Sequence, residues 1–234
     1  LAQCRESRVT GALYIAGNPG GLFYLRDGVV TGVRSPGSPG ADTLVARGNV
    51  GNADTRALTA TVLHDGAFAM VTGDIERYVI GGSAELPFVP ASDGVTVDQL
   101  LAETTDRLDV VASLPVLVSP HRDRVVPARS AGPAELGAER QEIVAHATGR
   151  RTARDIAFAI GASLYPVTAE ISRMLDEKLL ETAPAAAAFN FVHGGLASLR
   201  PRADTVTDRR AEEVGVPPLP TRRPGRTRSG PAPG

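Results

Sequence analysis

The chain has one cysteine, Cys4, one lysine, Lys178, and no tryptophan. A single thiol excludes a disulfide framework and a thiolate metal centre, and it fits a reducing compartment, so the expected location is cytoplasmic. Aromatics make up only 4%, so the core has to be built from Val, Leu, Ile and Ala, and a hydrophobic content of 42% allows that. No apolar run reaches the roughly 18 residues that span a bilayer, and no charged-then-apolar leader opens the chain, so no membrane association is expected. The net charge is -1, and any affinity for nucleic acid has to come from local patches. His64, His121, His146 and His193 stand far apart with no i+3 or i+4 partners, so neither a metal nor a cofactor is expected. No paired motif activates a serine or Cys4, and no catalytic residue is expected. The chain opens on Leu1 rather than Met, and its first eight residues read as the last turns of a helix. The expectation is a start missing from this sequence.

What is present is arginine, alanine, glycine, proline and valine in excess, the composition of a GC-rich bacterial genome. Residues 9–34 are the clearest β region. Val9–Ile15 and Gly21–Leu25 are rich in β-formers, and Ala16-Gly-Asn-Pro-Gly20 between them holds the residues that a tight reversal needs. Arg26-Asp-Gly28 marks a second reversal, leading into Val29–Val33, and the expectation is a three-stranded antiparallel meander. Gly17-Asn-Pro-Gly-Gly21 lies between strands without a Gly-Lys-Ser/Thr ending, so it reads as a turn rather than a phosphate cradle.

Helices are expected over Asp42–Arg47 and Asp54–Met70, followed by extended pieces at Arg77–Ile80 and Leu86–Val89. An amphipathic helix is expected over Thr96–Leu114. Thr96 and Gln99 have capping-box spacing, with Leu100, Leu101 and Leu108 on one face. Residues 119–134 carry three prolines and no periodicity, and read as a linker. Residues 200–234 are Pro- and Arg-rich and read as a disordered tail.

Between linker and tail, three helical segments are expected. The first is Glu135–Ala147. Thr152 can cap the second, with Asp155 supporting the same end, and Gly161-Ala-Ser163 is a turn of helix-turn-helix length. Pro166 suits the first turn of the third helix, where Val167, Ile171, Met174 and Leu175 form an apolar stripe. Residues 136–182 thus resemble a bacterial winged-helix domain: a capped helix, a glycine turn, and a third helix running into Leu179-Leu180. The pattern departs after Leu180, where Ala183-Pro-Ala-Ala-Ala-Ala188 lacks the basic hairpin of a full wing. The resemblance implies DNA binding, with the third helix in the major groove. Arg150, Arg151, Arg154 and Arg173 would contact phosphates, and Tyr165, Thr168 and Ser172 would face the groove. The charge count opposes this, since residues 136–182 hold six basic and seven acidic side chains.

Thr10-Gly-Ala-Leu-Tyr-Ile15, then Gly20-Gly-Leu-Phe-Tyr-Leu-Arg-Asp-Gly28-Val-Val-Thr-Gly-Val33, resembles the PATAN-type signalling domain of bacterial regulators. The match is dense over 9–34. It implies a protein-interaction or sensory role without catalysis for the segment up to residue 118. Arg222, Arg223, Arg226 and Arg228 form a basic patch in the tail, readable as an electrostatic arm or as a solvating low-complexity end.

The expected fold class is α+β: residues 1–118 an antiparallel sheet with packed helices, then the linker, a small winged-helix domain over 135–199, and the tail. The expected function is a non-enzymatic bacterial transcription regulator that binds DNA, takes a protein partner through residues 9–118, and is open to homodimerisation. The alternative is a protein–protein adaptor in a signalling complex, with the winged helix as a contact or dimerisation surface.

Overall fold

The computed structural model describes residues 1–46, 55–81, 94–129 and 136–184. Strands β1 (Gly11–Asn18), β2 (Gly21–Arg26) and β3 (Val29–Arg34) form the expected antiparallel meander. Between β2 and β3, Asp27 and Gly28 both take positive φ, +51° and +80°. A two-residue hairpin needs this left-handed pair to match the twist of its strands; glycine adopts it freely and aspartate tolerates it.

Two more strands widen the meander. β4 (Asp74–Gly81) pairs antiparallel with β1, and the short β5 (Val95–Thr96) pairs antiparallel with β3. The sheet therefore has five strands in the order β4-β1-β2-β3-β5. Strand side chains alternate between faces, so Leu13 stands beside Phe23 on one neighbour and Ile80 on the other. Leu13, Phe23, Leu25 and Val30 are buried on one face. Helices α3 (Thr55–Val71) and α4 (Val97–Ala112) cover that face with Leu63, Met70, Val97 and Leu100, and Cys4 of α1 (Ala2–Glu6) packs into the same core as a small apolar side chain. α2 (Ala41–Ala46) buries Leu44. α4 starts at the expected capping box: Thr96 Oγ1 accepts the Gln99 amide at 3.2 Å, and Gln99 Oε1 accepts the Thr96 amide at 3.3 Å.

The helix α3 is apolar on more than one side, the pattern of a helix buried between two layers. Leu63, Ala67 and Met70 face the sheet, while Phe68 and Ala69 belong to a second core made by the C-terminal helices. Gly66 brings α3 close to the sheet: a Cβ there would stand 2.7 Å from both methyls of Val33.

The second core is built by α5 (Ala138–His146), α6 (Ala153–Ile160) and α7 (Leu164–Asp176), closed by the antiparallel pair β6 (Val125–Pro127) and β7 (Leu180–Thr182). Ile143, Ile156, Leu164, Val167, Ile171 and Met174 meet there, each buried. Thr152 caps α6 as expected, and in addition Asp155 Oδ2 accepts the Thr152 amide at 3.1 Å. Gly161 ends α6 at φ +66°, the left-handed cap that glycine adopts without strain.

The segment expected to be a linker is structured in part. Val125–Pro127 is strand β6, and the Arg154 amide donates to the carbonyl of Pro120 at 3.0 Å. Three prolines break helical periodicity without preventing an extended edge strand, where no ladder N–H is needed from them. Among the described residues, those before and after 119–134 belong to one compact unit. The strand expected at 86–89, the part beyond 184 of the segment expected to be a winged helix, and the tail expected over 200–234 lie outside the described residues.

Candidate functional site

Between the two described cores, one carboxylate joins α3 to α7. Asp65 of α3, flanked by His64 and Gly66, is fully buried. Its Oδ2 accepts the Leu164 amide at 2.7 Å and its Oδ1 accepts the Tyr165 amide at 2.9 Å. These are the first two orphan donors of α7, and the side chain of the local N-cap residue, Ser163, makes no capping bond. A carboxylate at this end also complements the helix dipole. Burial pushes the Asp65 carboxyl above its ordinary range, partly offset by the Tyr165 and Leu164 amides and by the charge of Arg107. Tyr165 then packs edge-on against Phe68 of α3, ring centroids 5.4 Å apart, and the Arg107 guanidinium of α4 lies 4.9 Å from the Tyr165 ring centre. Arg107 is held by Glu103 at 2.8 Å.

This junction decides where the expected groove-facing residues lie. Thr168 is fully buried and donates to the Leu164 carbonyl at 2.8 Å within its own helix. Ser172 is buried and donates to the Val116 carbonyl. Tyr165 is half-buried in the contact just described. The expectation that these three face outward is corrected: α7 turns that side toward α3 and the segment after α4. Sequence spacing identifies a face of a helix, but the partner of that face is set by tertiary packing. Arg173, the only basic residue on α7, is exposed and paired with Glu170 at 2.8 Å. Arg140 of α5 bridges to Glu170 and Glu177, both at 2.6 Å, so carboxylates interleave with the cations on this side. The Arg140 bonds hold the Glu177 carboxyl below its ordinary range.

The structure does bring together two of the expected phosphate-contacting arginines. Arg150 and Arg154 line a cleft of about 360 Å³ with Arg124 and His121, opposite Pro19 and Pro36 of the sheet layer. Arg154 is partly committed: it donates to the Pro36 carbonyl at 2.7 Å and to Asp155 at 2.9 Å, and lies over the Phe158 ring. Arg151 points elsewhere, onto His146 Nδ1. His121 Nε2 bonds the Ala69 carbonyl at 2.9 Å, which makes that nitrogen the protonated one, and leaves Nδ1 buried with no partner among the described residues. Burial holds His121 below its ordinary pKa, and the Arg154 and Arg122 charges add to this. The basic patch at Arg222, Arg223, Arg226 and Arg228 lies outside the described residues.

A third feature is the sheet edge. β4 is exposed along nearly its whole length, with Ile75, Tyr78, Val79 and Ile80 between 39% and 66% accessible. Beneath it runs an apolar groove of about 270 Å³ lined by Ile15, Met70, Val71, Ile75, Tyr78 and Leu101, among others.

No motif in the sequence marks Asp65, Phe68 and Arg107 as a unit, or Arg124 as a cleft residue. The available signal for Asp65 was an acid directly before the apolar run Gly66–Met70, in a helix whose burial there demands a partner for it. Comparison with protein-family models, curated proteins and solved structures finds no match to this chain.

Proposed function

We propose that the chain is a non-enzymatic protein-interaction adaptor of bacterial signalling, in which a PATAN-like sheet module and a winged-helix unit share α3. In this reading the third helix of the winged-helix unit is an internal clasp, and partners meet the sheet module, above all along β4. One observation carries it: the Asp65 carboxylate occupies the N-terminus of α7, the end that a groove-reading helix presents to bases. Two titratable groups at the junction are used structurally, Asp65 as a cap and His121 as a tie to α3. The test is binding of mixed duplex DNA by the full chain across a salt series. The adaptor reading expects no sequence-dependent affinity. Base-selective binding that survives at moderate salt would overturn it.

A second reading, contact with the backbone of a phosphate-bearing polyanion such as duplex DNA, is favoured by the shared cleft of Arg124, Arg150 and Arg154. It expects sequence-independent binding that weakens steeply with salt and is reduced by Arg124→Ala and Arg150→Ala together.

A further inference from the structure

We infer that β4 is the site at which two copies of this chain pair edge to edge, giving a continuous ten-stranded sheet. The inference rests on the adaptor reading and names the first partner of that surface. Soluble proteins protect sheet edges with charge, proline, bulges or a covering element, because a bare edge is a template for another strand. Among the described residues, β4 is protected at one end only. A bulge at Glu76 shifts its register against β1, so that Ala16 faces Arg77 while Gly17 faces Ile75. Beyond the bulge, Arg77–Gly81 is a regular five-residue strand with one charged side chain, and Tyr78, Val79 and Ile80 are exposed on its two faces.

Self-complementarity selects the register. A two-fold axis perpendicular to a continuous antiparallel sheet must pass through a residue that pairs with its own copy, since each side chain stays on its own face. Centred on Arg77, the pairing sets two guanidinium groups directly opposite, which is destabilising. Centred on Tyr78, it sets Ile80 against the bulged Glu76 of the second copy and uses only the middle of the regular strand. Centred on Val79, all five regular residues pair: Val79 with Val79, Tyr78 with Ile80 twice, and Arg77 with Gly81 twice. Every exposed apolar residue of that stretch then meets another one, and no like charges face each other. On the outer face Tyr14, which leans over Gly81, extends the apolar contact. On the inner face Tyr78 adjoins the apolar groove beneath the strand.

The experiment uses the full chain. Sedimentation equilibrium across a concentration series is expected to give the dimer mass for wild type and the monomer mass for Val79→Lys, with unchanged far-UV circular dichroism. In a second variant, Val79→Cys, the new thiols lie across the axis within reach of a disulfide after modest closure, as directly opposed Cβ atoms in a sheet are about 4.5–5.5 Å apart. Mild oxidation is expected to cross-link Val79→Cys, but neither wild type, whose thiol is the buried Cys4, nor Arg77→Cys. A monomeric wild type, or a dimer that Val79→Lys leaves intact, overturns the inference. Cross-linking of Arg77→Cys in place of Val79→Cys overturns this register. Base-selective DNA binding by the same samples would instead remove the adaptor reading while leaving the pairing in place.

Discussion

The Asp65 carboxylate lies 2.7 Å from the Leu164 amide, across ninety-nine positions of sequence, so the first turn of α7 is capped by a residue of α3. Capping is usually a local matter of the residue just before the helix. Here the cap is a long-range contact, and the stability of the C-terminal helices depends on the sheet module.

Replacing Asp65 should therefore loosen the junction. Asp65→Ala leaves the buried Leu164 amide and the part-buried Tyr165 amide without their acceptors, a loss on the order of 2–4 kcal/mol in unfolding free energy by urea titration. Asp65→Asn retains one acceptor oxygen and needs no buried charge, and is expected to cost less. Limited proteolysis of Asp65→Ala should cut first near the α6–α7 turn. Equal stability of Asp65→Ala and wild type would remove the capping role.

The same residue and His121 give stability opposite dependences on pH. The folded-state pKa of Asp65 lies above its unfolded value of about 4, so its contribution is full below that value and declines as pH rises through the raised one. Asp65→Asn should thus gain on wild type as pH rises from about 4 toward neutrality. The folded pKa of His121 lies below its unfolded value of about 6.5, so its contribution is full above that value and declines as pH falls through the lowered one. His121→Gln should flatten the loss of stability expected on acidification. Thermal melts over a pH series check both, and a pH-independent difference from wild type refutes the corresponding assignment.

Gly66→Ala sets two effects against each other. Alanine improves helix propensity by about 1 kcal/mol. The new methyl, however, meets both methyls of Val33 at 2.7 Å, and overpacking of that kind costs about 1–3 kcal/mol. A net loss is expected, and Val33→Ala in the same chain should recover part of it. A stabilised Gly66→Ala would show that α3 can move off the sheet at little cost.

The sequence made the local rules legible. The meander, the capping box at Thr96, the cap at Thr152, the Gly161 turn and the apolar stripe of α7 follow from spacing and turn chemistry, and they stand where the residues placed them. The relations between distant segments were not legible. Thr168 and Ser172 are small and polar, and nothing in their spacing distinguishes a groove-facing hydroxyl from one that bonds a carbonyl inside a packed interface. The prolines of 119–134 conceal β6, because an edge strand of three residues leaves almost no periodicity. The apolar character of β4 was visible, but its position at the edge of the sheet depends on pairing with β1.

The double burial of α3 bears on how this chain can be cut, shuffled or reused. A fragment ending before β6 would carry Phe68 and Ala69 as bare hydrocarbon, and one beginning there would lack both the aromatic floor under Tyr165 and the acceptor at the start of α7. Neither half is a portable cassette. Fusions and truncations should respect the whole span from α1 to β7, and a genome that recombines such modules would have to move sheet and helices together.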